Sequence, residues 1–231
     1  SEPGKLNSVK ATEWHRITLS ALAAGGDPTS FGFCDGERID LVADGTYNRG
    51  RTTSLGRQGI NGWIWGLIAL DAKRYPVPDG AYYTRDDIIT GILSRQLPDG
   101  GFALSGGVSD PDVTAMALQA LAPYYNSEKT YTYEQKSLGK TVTKHVYDVI
   151  DEALARLSGM QLDTGDFKSW GTENVESADQ VIVALCCLGI DPLADERFIK
   201  NGNTLYDGIL RYRMKDGGFV HSRVYDPDNP S

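Results

Sequence analysis

The sequence predicts an all-α protein folded as an α/α toroid, with inner helices alternating with outer ones. Three observations carry that prediction. A glycine phrase recurs as "QLPDGGF" (Gln96 to Phe102), "QLDTGDF" (Gln161 to Phe167) and "RMKDGGF" (Arg213 to Phe219); the segment before it is amphipathic, and the segment after it is apolar almost all round. The phrases start at 96, 161 and 213, so they lie 65 and 52 residues apart. Each repeat is therefore long enough for two helices with extended connections. Half-buried helices alternating with fully buried ones make two concentric layers, the buried set inside. Residues 1–231 are expected to form a single toroid domain, interrupted within its last repeat.

In chain order, "ATEWHRITLSALAAGGDP" from Ala11 gives a first inner helix, ending on the same Gly and Asp-Pro signals as "VIVALCCLGIDP". Glu37 to Ala43 gives a weak outer helix, Asn61 to Tyr75 the second inner one, and Arg85 to Gln96 the second outer one. Val113 to Tyr124 and Ala178 to Leu188 are the inner helices that follow the first two glycine phrases. Between them, Lys129 to Lys144 alternates with period two at Tyr131, Tyr133, Thr141 and Thr143 around Leu138-Gly139, which predicts an exposed β-hairpin. His145 to Gln161 is an outer helix whose stripe is Val146, Val149, Ile150, Ala153, Leu154 and Leu157, spaced i, i+3, i+4, i+7, i+8, i+11. Thr204 to Met214 is the last outer helix, and "YDPDNPS" follows where an inner helix is due.

Composition narrows the partners. With 23 Lys and Arg against 31 Asp and Glu, and no basic run, the chain is a poor match for a phosphate backbone. The longest apolar runs reach about half of the roughly 20 residues a membrane-spanning helix needs. The start "SEPGKLNSVK" has no signal-peptide pattern and reads as a mature or trimmed boundary. Cys34, Cys186 and Cys187 form no disulfide framework and read as small buried apolar residues. His15, His145 and His221 lie far from any cysteine at ligand spacing, so no metal site and no cofactor is expected.

"QLPDGGF" followed by "DPDVTAMALQAL" resembles the repeat region of the terpenoid cyclase and protein prenyltransferase superfamily, over about Val9 to Phe219. Around "EWHRITLSAL", "GINGWIWGLIALDAKRY" and "NVESADQVIVALCCLGIDP" the chain is most similar to prenyltransferase-like repeat domains of secreted or surface-attached proteins of Gram-positive bacteria. The resemblance implies the toroid, an extracellular or cell-surface location, and other domains of the same parent protein as partners. The third phrase departs from the family pattern, with Arg213 where Gln96 and Gln161 stand.

Class II cyclases of that superfamily protonate an alkene with the middle acid of an Asp-x-Asp-Asp motif, and Asp110 and Asp112 are similar to it. Val113 stands where the third acid would be. The plainer reading is a helix start: Asp is a favoured N-cap, Pro111 suits the first helical position, and an acid in the first turn faces the positive end of the dipole. That placement is expected to keep the carboxylates ionised, the wrong state for an acid catalyst. Asn174 or Ser177 caps the next inner helix in the same way, beside Glu173 and Glu176.

Trp63, Trp65 and Trp170, near these carboxylates in the toroid scheme, are the aromatic candidates for holding a small organic ligand or a glycan. The sequence therefore points to a non-catalytic binding or structural module, with Trp63, Trp65, Asp110, Asp112, Trp170, Glu173 and Glu176 as its contact residues. The alternatives are a cyclase-like enzyme using Asp112 as general acid, and a carbohydrate-active toroid using Asp112 and Glu176.

Overall fold

Five of the eight α-helices among the described residues begin at a short polar side chain that caps them: Asp40, Thr84, Asp110, Asn174 and Thr204. The computed structural model describes residues 6, 9–34, 36–49 and 54–225. The expectations placed on the first few residues and on the tail from 226 lie outside them. Eight α-helices and three two-stranded sheets are present among the described residues, a mostly helical fold. No helix is long and apolar enough to cross a membrane among them. The chain divides into two compact units, Ser1–Arg95 and Gln96–Ser231.

The first unit holds α1 (Ala11–Ala23), the short strands β1 (Phe33–Cys34) and β2 (Glu37–Arg38), α2 (Leu41–Gly45), α3 (Ile60–Asp71) and α4 (Arg85–Leu93). The weak outer helix expected over Glu37 to Ala43 is instead a strand followed by a five-residue helix, because Asp40 accepts from the Ala43 N–H at 2.8 Å and starts the helix late. Thr84 and Asp87 close a reciprocal capping box on α4. Ile64, Leu67, Leu70, Ile88, Ile89 and Ile92 are buried between α3 and its neighbours.

Trp63 belongs to this core. A Cβ placed on Gly56 or Gly91 would run into its indole, so the two glycines leave the slot the ring fills. Tyr83 meets the indole edge-on with centroids 5.2 Å apart, and the Arg95 guanidinium lies 5.4 Å from its centroid.

The second unit holds α5 (Pro111–Leu121), β3 (Thr130–Gln135), β4 (Lys140–His145), α6 (Val146–Met160), β5 (Lys168–Ser169), β6 (Thr172–Glu173), α7 (Val175–Cys187) and α8 (Leu205–Leu210). All six residues of the α6 stripe are buried. The helix packs with them on α5, and α5 packs in turn on α7.

The glycine phrases make one structure three times. In each, the second residue donates its N–H to the carbonyl four positions on: Leu97 to Gly101 at 2.9 Å, Leu162 to Asp166 at 2.8 Å, Met214 to Gly218 at 2.8 Å. Gly100, Gly165 and Gly217 all take the left-handed conformation, with φ of 88°, 83° and 90°. The first two turns also press on a later helix, α6 and the start of α8 respectively, since a Cβ on Gly100 would sit 2.7 Å from the Glu152 carbonyl and one on Gly165 would overlap that of Thr204.

The repeated glutamine now has a physical reason. Gln96 donates to the carbonyls of Gly100 (2.9 Å) and Val149 (3.2 Å), and Gln161 to those of Gly165 (3.1 Å) and Phe198 (3.0 Å). One amide thereby closes its own turn and satisfies a distant buried acceptor. Phe102 and Phe167 are fully buried, whereas Phe219, in the phrase with Arg213, is 48% exposed.

The β3–β4 hairpin forms in the expected place, with Thr130 opposite His145 and Gln135 opposite Lys140. One of its faces is not exposed. Tyr131, Tyr133 and Gln135 are buried, and the Gln135 amide donates to the Gln96 carbonyl at 3.0 Å, joined there by the Ser137 hydroxyl at 2.8 Å.

The inner-type helix α7 is also more open than its composition implies. Its apolar residues do not all find a partner, so Val183 is 46% exposed and Cys186 and Cys187 are exposed rather than buried. Cys34 is half-buried.

Candidate functional site

Two helix starts and a hairpin tip build the site in the second unit. Asp110 is the N-cap of α5: Oδ1 accepts from the Val113 N–H at 3.1 Å, and Oδ2 from the Ser169 hydroxyl at 2.6 Å. Pro111 then takes the first helical position and Asp112 the second. Asn174 repeats the arrangement on α7, its Oδ1 accepting from both the N–H and the hydroxyl of Ser177 at 3.0 Å. Glu176 thus occupies on α7 the position that Asp112 occupies on α5.

Between them projects the β5–β6 hairpin, with Ser169 opposite Thr172 and Trp170-Gly171 as its two-residue tip. Both tip residues are left-handed, Trp170 at φ 50° and Gly171 at φ 85°. Such tips match the strand twist and ordinarily carry Asn, Asp or Gly. Here the first position holds a tryptophan that is 76% exposed.

Asp112, Ser169, Trp170, Thr172, Asn174, Glu176 and His221 line one cleft of about 480 Å³. Of the expected contact residues, Asp112, Trp170 and Glu176 meet there, and Asp110 stands directly behind Ser169 as a cap. Glu173 is turned to other work, ion-paired to Arg211 at 3.2 Å and close to Lys168 at 3.9 Å.

Trp63 and Trp65 belong to the first unit. Trp63 is a packing residue, buried because Gly56 and Gly91 admit its ring. Trp65 is half-buried and lines a separate groove of about 710 Å³ with Arg16, Leu19 and Gln58 of the same unit.

Asp112 departs from the expectation for a helix start. Burial pushes its pKa up, the Ser177 and Ser169 hydroxyls oppose that, and the charges of Asp110 and Glu176 add to it. Desolvation is the largest of these influences. Its Oδ1 is buried and accepts no hydrogen bond. Glu176 is exposed and has His221 Nδ1 at 2.8 Å.

His221 was weighed in the sequence only as a metal ligand, yet it reaches the cleft, held in place by its own backbone, whose carbonyl accepts from the Val175 N–H at 3.1 Å. Aligning the glycine phrases would have pointed to it: Ser169 and His221 each stand two residues after the phrase's phenylalanine. Comparison with known protein families, with curated proteins and with solved structures finds no match to this chain.

Proposed function

We propose that the chain is a non-catalytic binding module of an exported protein, built as an α/α toroid, whose contact surface is the Trp170 cleft. The observation that carries this reading is Trp170: a large aromatic held in a left-handed turn conformation and left in water is hard to explain by packing or by turn chemistry. The matching second positions of α5 and α7 support it, since each turns a carboxylate toward the same cleft. The toroid rests on the repeat pattern and on the family resemblance, and the exported location on the resemblance alone.

A thermal-shift screen of small organic molecules and glycans tests the reading. The expected result is a saturable shift that Trp170→Ala removes without lowering the melting temperature of the free protein. A shift untouched by Trp170→Ala would move the site elsewhere.

A cyclase-like reading is favoured by one observation, the raised pKa of Asp112, which moves it toward the neutral form an acid catalyst needs. Against it stand Val113 at the place of the third acid and a cleft lined by hydroxyl, amide and carboxylate groups rather than a dry aromatic wall. Turnover of a polyprenyl substrate, lost in Asp112→Asn, would establish that alternative.

A further inference from the structure

The acids of the second unit are not treated alike. Asp166, fully buried, accepts from the Tyr212 hydroxyl and has Arg211 at 3.4 Å. Glu173 shares Arg211 and Lys168, Asp99 has Arg156 at 3.1 Å, and Glu152 has Lys144 at 2.6 Å. Asp112 forms no ion pair among the described residues, and the charges acting on it, Asp110 and Glu176, are both negative. A partly buried carboxylate without a counter-charge is a cost that a fold ordinarily removes by pairing.

The cleft in front of Asp112 contains no lysine or arginine among the residues that line it. His221 is its one basic group, and Glu176 already engages it. Trp170 stands at the edge of the same cleft, with most of its surface free. An indole is the best aromatic partner for a cation because its ring face carries the negative end of the quadrupole. At about 480 Å³ the space is that of a small-molecule site.

We propose that the cleft takes a small organic cation, an alkylated ammonium compound, with its charge between the Trp170 ring and the carboxylates of Asp112 and Glu176. The inference rests on reading the cleft as a binding site and adds the chemical class of its ligand. A neutral sugar would stack on Trp170 but leave Asp112 without a counter-charge, and an anion would meet two carboxylates. No bond is made or broken; the cation supplies the charge that the protein leaves out.

Titration calorimetry with choline, set against its uncharged carbon analogue 3,3-dimethylbutan-1-ol, separates charge from shape. Choline is expected to bind saturably and at least about tenfold more tightly than the analogue. Asp112→Asn is expected to weaken choline by a similar factor, more at low salt than at high, and Trp170→Ala to abolish it. Folding of both variants is checked by their melting temperatures.

Equal binding of choline and its neutral analogue, or choline binding unchanged in Asp112→Asn, overturns the cation inference and leaves the binding-site reading intact. So does a glycan whose binding needs Trp170 while choline does not bind. Absence of binding by all three classes overturns both.

Discussion

Lowering the pH from 7 to 4 is expected to cost the first unit about 3 kcal/mol through His15 alone. His15 lies on the buried side of α1, 1% exposed, with Nε2 2.7 Å from the Gly45 carbonyl and Nδ1 buried without a partner. Nε2 therefore carries the proton of a neutral ring. Burial, with the nearby Arg49 charge adding to it and the Gly45 hydrogen bond opposing it, lowers the pKa from 6.5 to about 4. Because the folded value is depressed, the contribution of the neutral ring is whole above 6.5 and is lost as the pH falls toward 4.

At about 1.36 kcal/mol per pH unit that window is worth roughly 3 kcal/mol, against the roughly 5–15 kcal/mol that holds a domain together. Urea unfolding of the wild type and of His15→Gln, which keeps an N–H for the Gly45 carbonyl, should diverge over the same window. The imidazole resonance of His15 should titrate near pH 4. Titration near 6.5, or parallel loss of stability in both proteins, would refute the argument.

Four further outcomes are expected. Gly91→Ala, a change that gains helix propensity in an open helix, should instead cost about 1–3 kcal/mol in urea unfolding, because the added methyl meets the Trp63 ring. Gln96→Leu should cost about 1–3 kcal/mol by removing the side-chain donor of the buried Gly100 carbonyl and the second donor of the Val149 carbonyl, which keeps its partner within α6, and Gln161→Leu a similar amount at Gly165 and Phe198. Trp170→Gly should leave the unfolding free energy unchanged or raise it by up to about 1 kcal/mol of released strain, read in urea unfolding, while removing ligand binding. Asp112→Asn should stabilise the protein at neutral pH, and the gain should shrink on acidification: the folded pKa is raised, so the carboxyl group costs nothing below its ordinary range and its penalty grows as the pH rises through the folded value.

How far the sequence carried depended on the range of the interaction. Helices with a long stripe or a local cap were legible: His145 to Gln161 became α6 at Val146–Met160, and Arg85 to Gln96 became α4 at Arg85–Leu93. Thr204 to Met214 shortened to Leu205–Leu210 because its last residues enter the third glycine turn. The buried reading of Cys186 and Cys187 failed because hydrophobicity marks what would bury a side chain and not whether a neighbour arrives to do so.

The site divides the same way. Asp110 and Asn174 were legible as caps because capping is local, Asp112 and Glu176 followed from their places beside those caps, and Trp170 stood out as an aromatic just after the second glycine phrase. Trp63 was not separable in the sequence from the contact candidates, since one of the two glycines that admit its ring, Gly91, comes from α4, well separated from it in the sequence. The same distance hid His221, which reaches Glu176 across 45 residues.

The most direct measurement is a two-dimensional NMR titration of the indole N–H groups, of which the chain has four. Assigned through Trp170→Phe, the Trp170 signal should shift saturably with choline and need about tenfold more choline to do so in Asp112→Asn, with the Trp63 signal unmoved. A Trp170 signal that stays fixed while another indole responds, or that responds identically without the Asp112 carboxylate, would contradict the account.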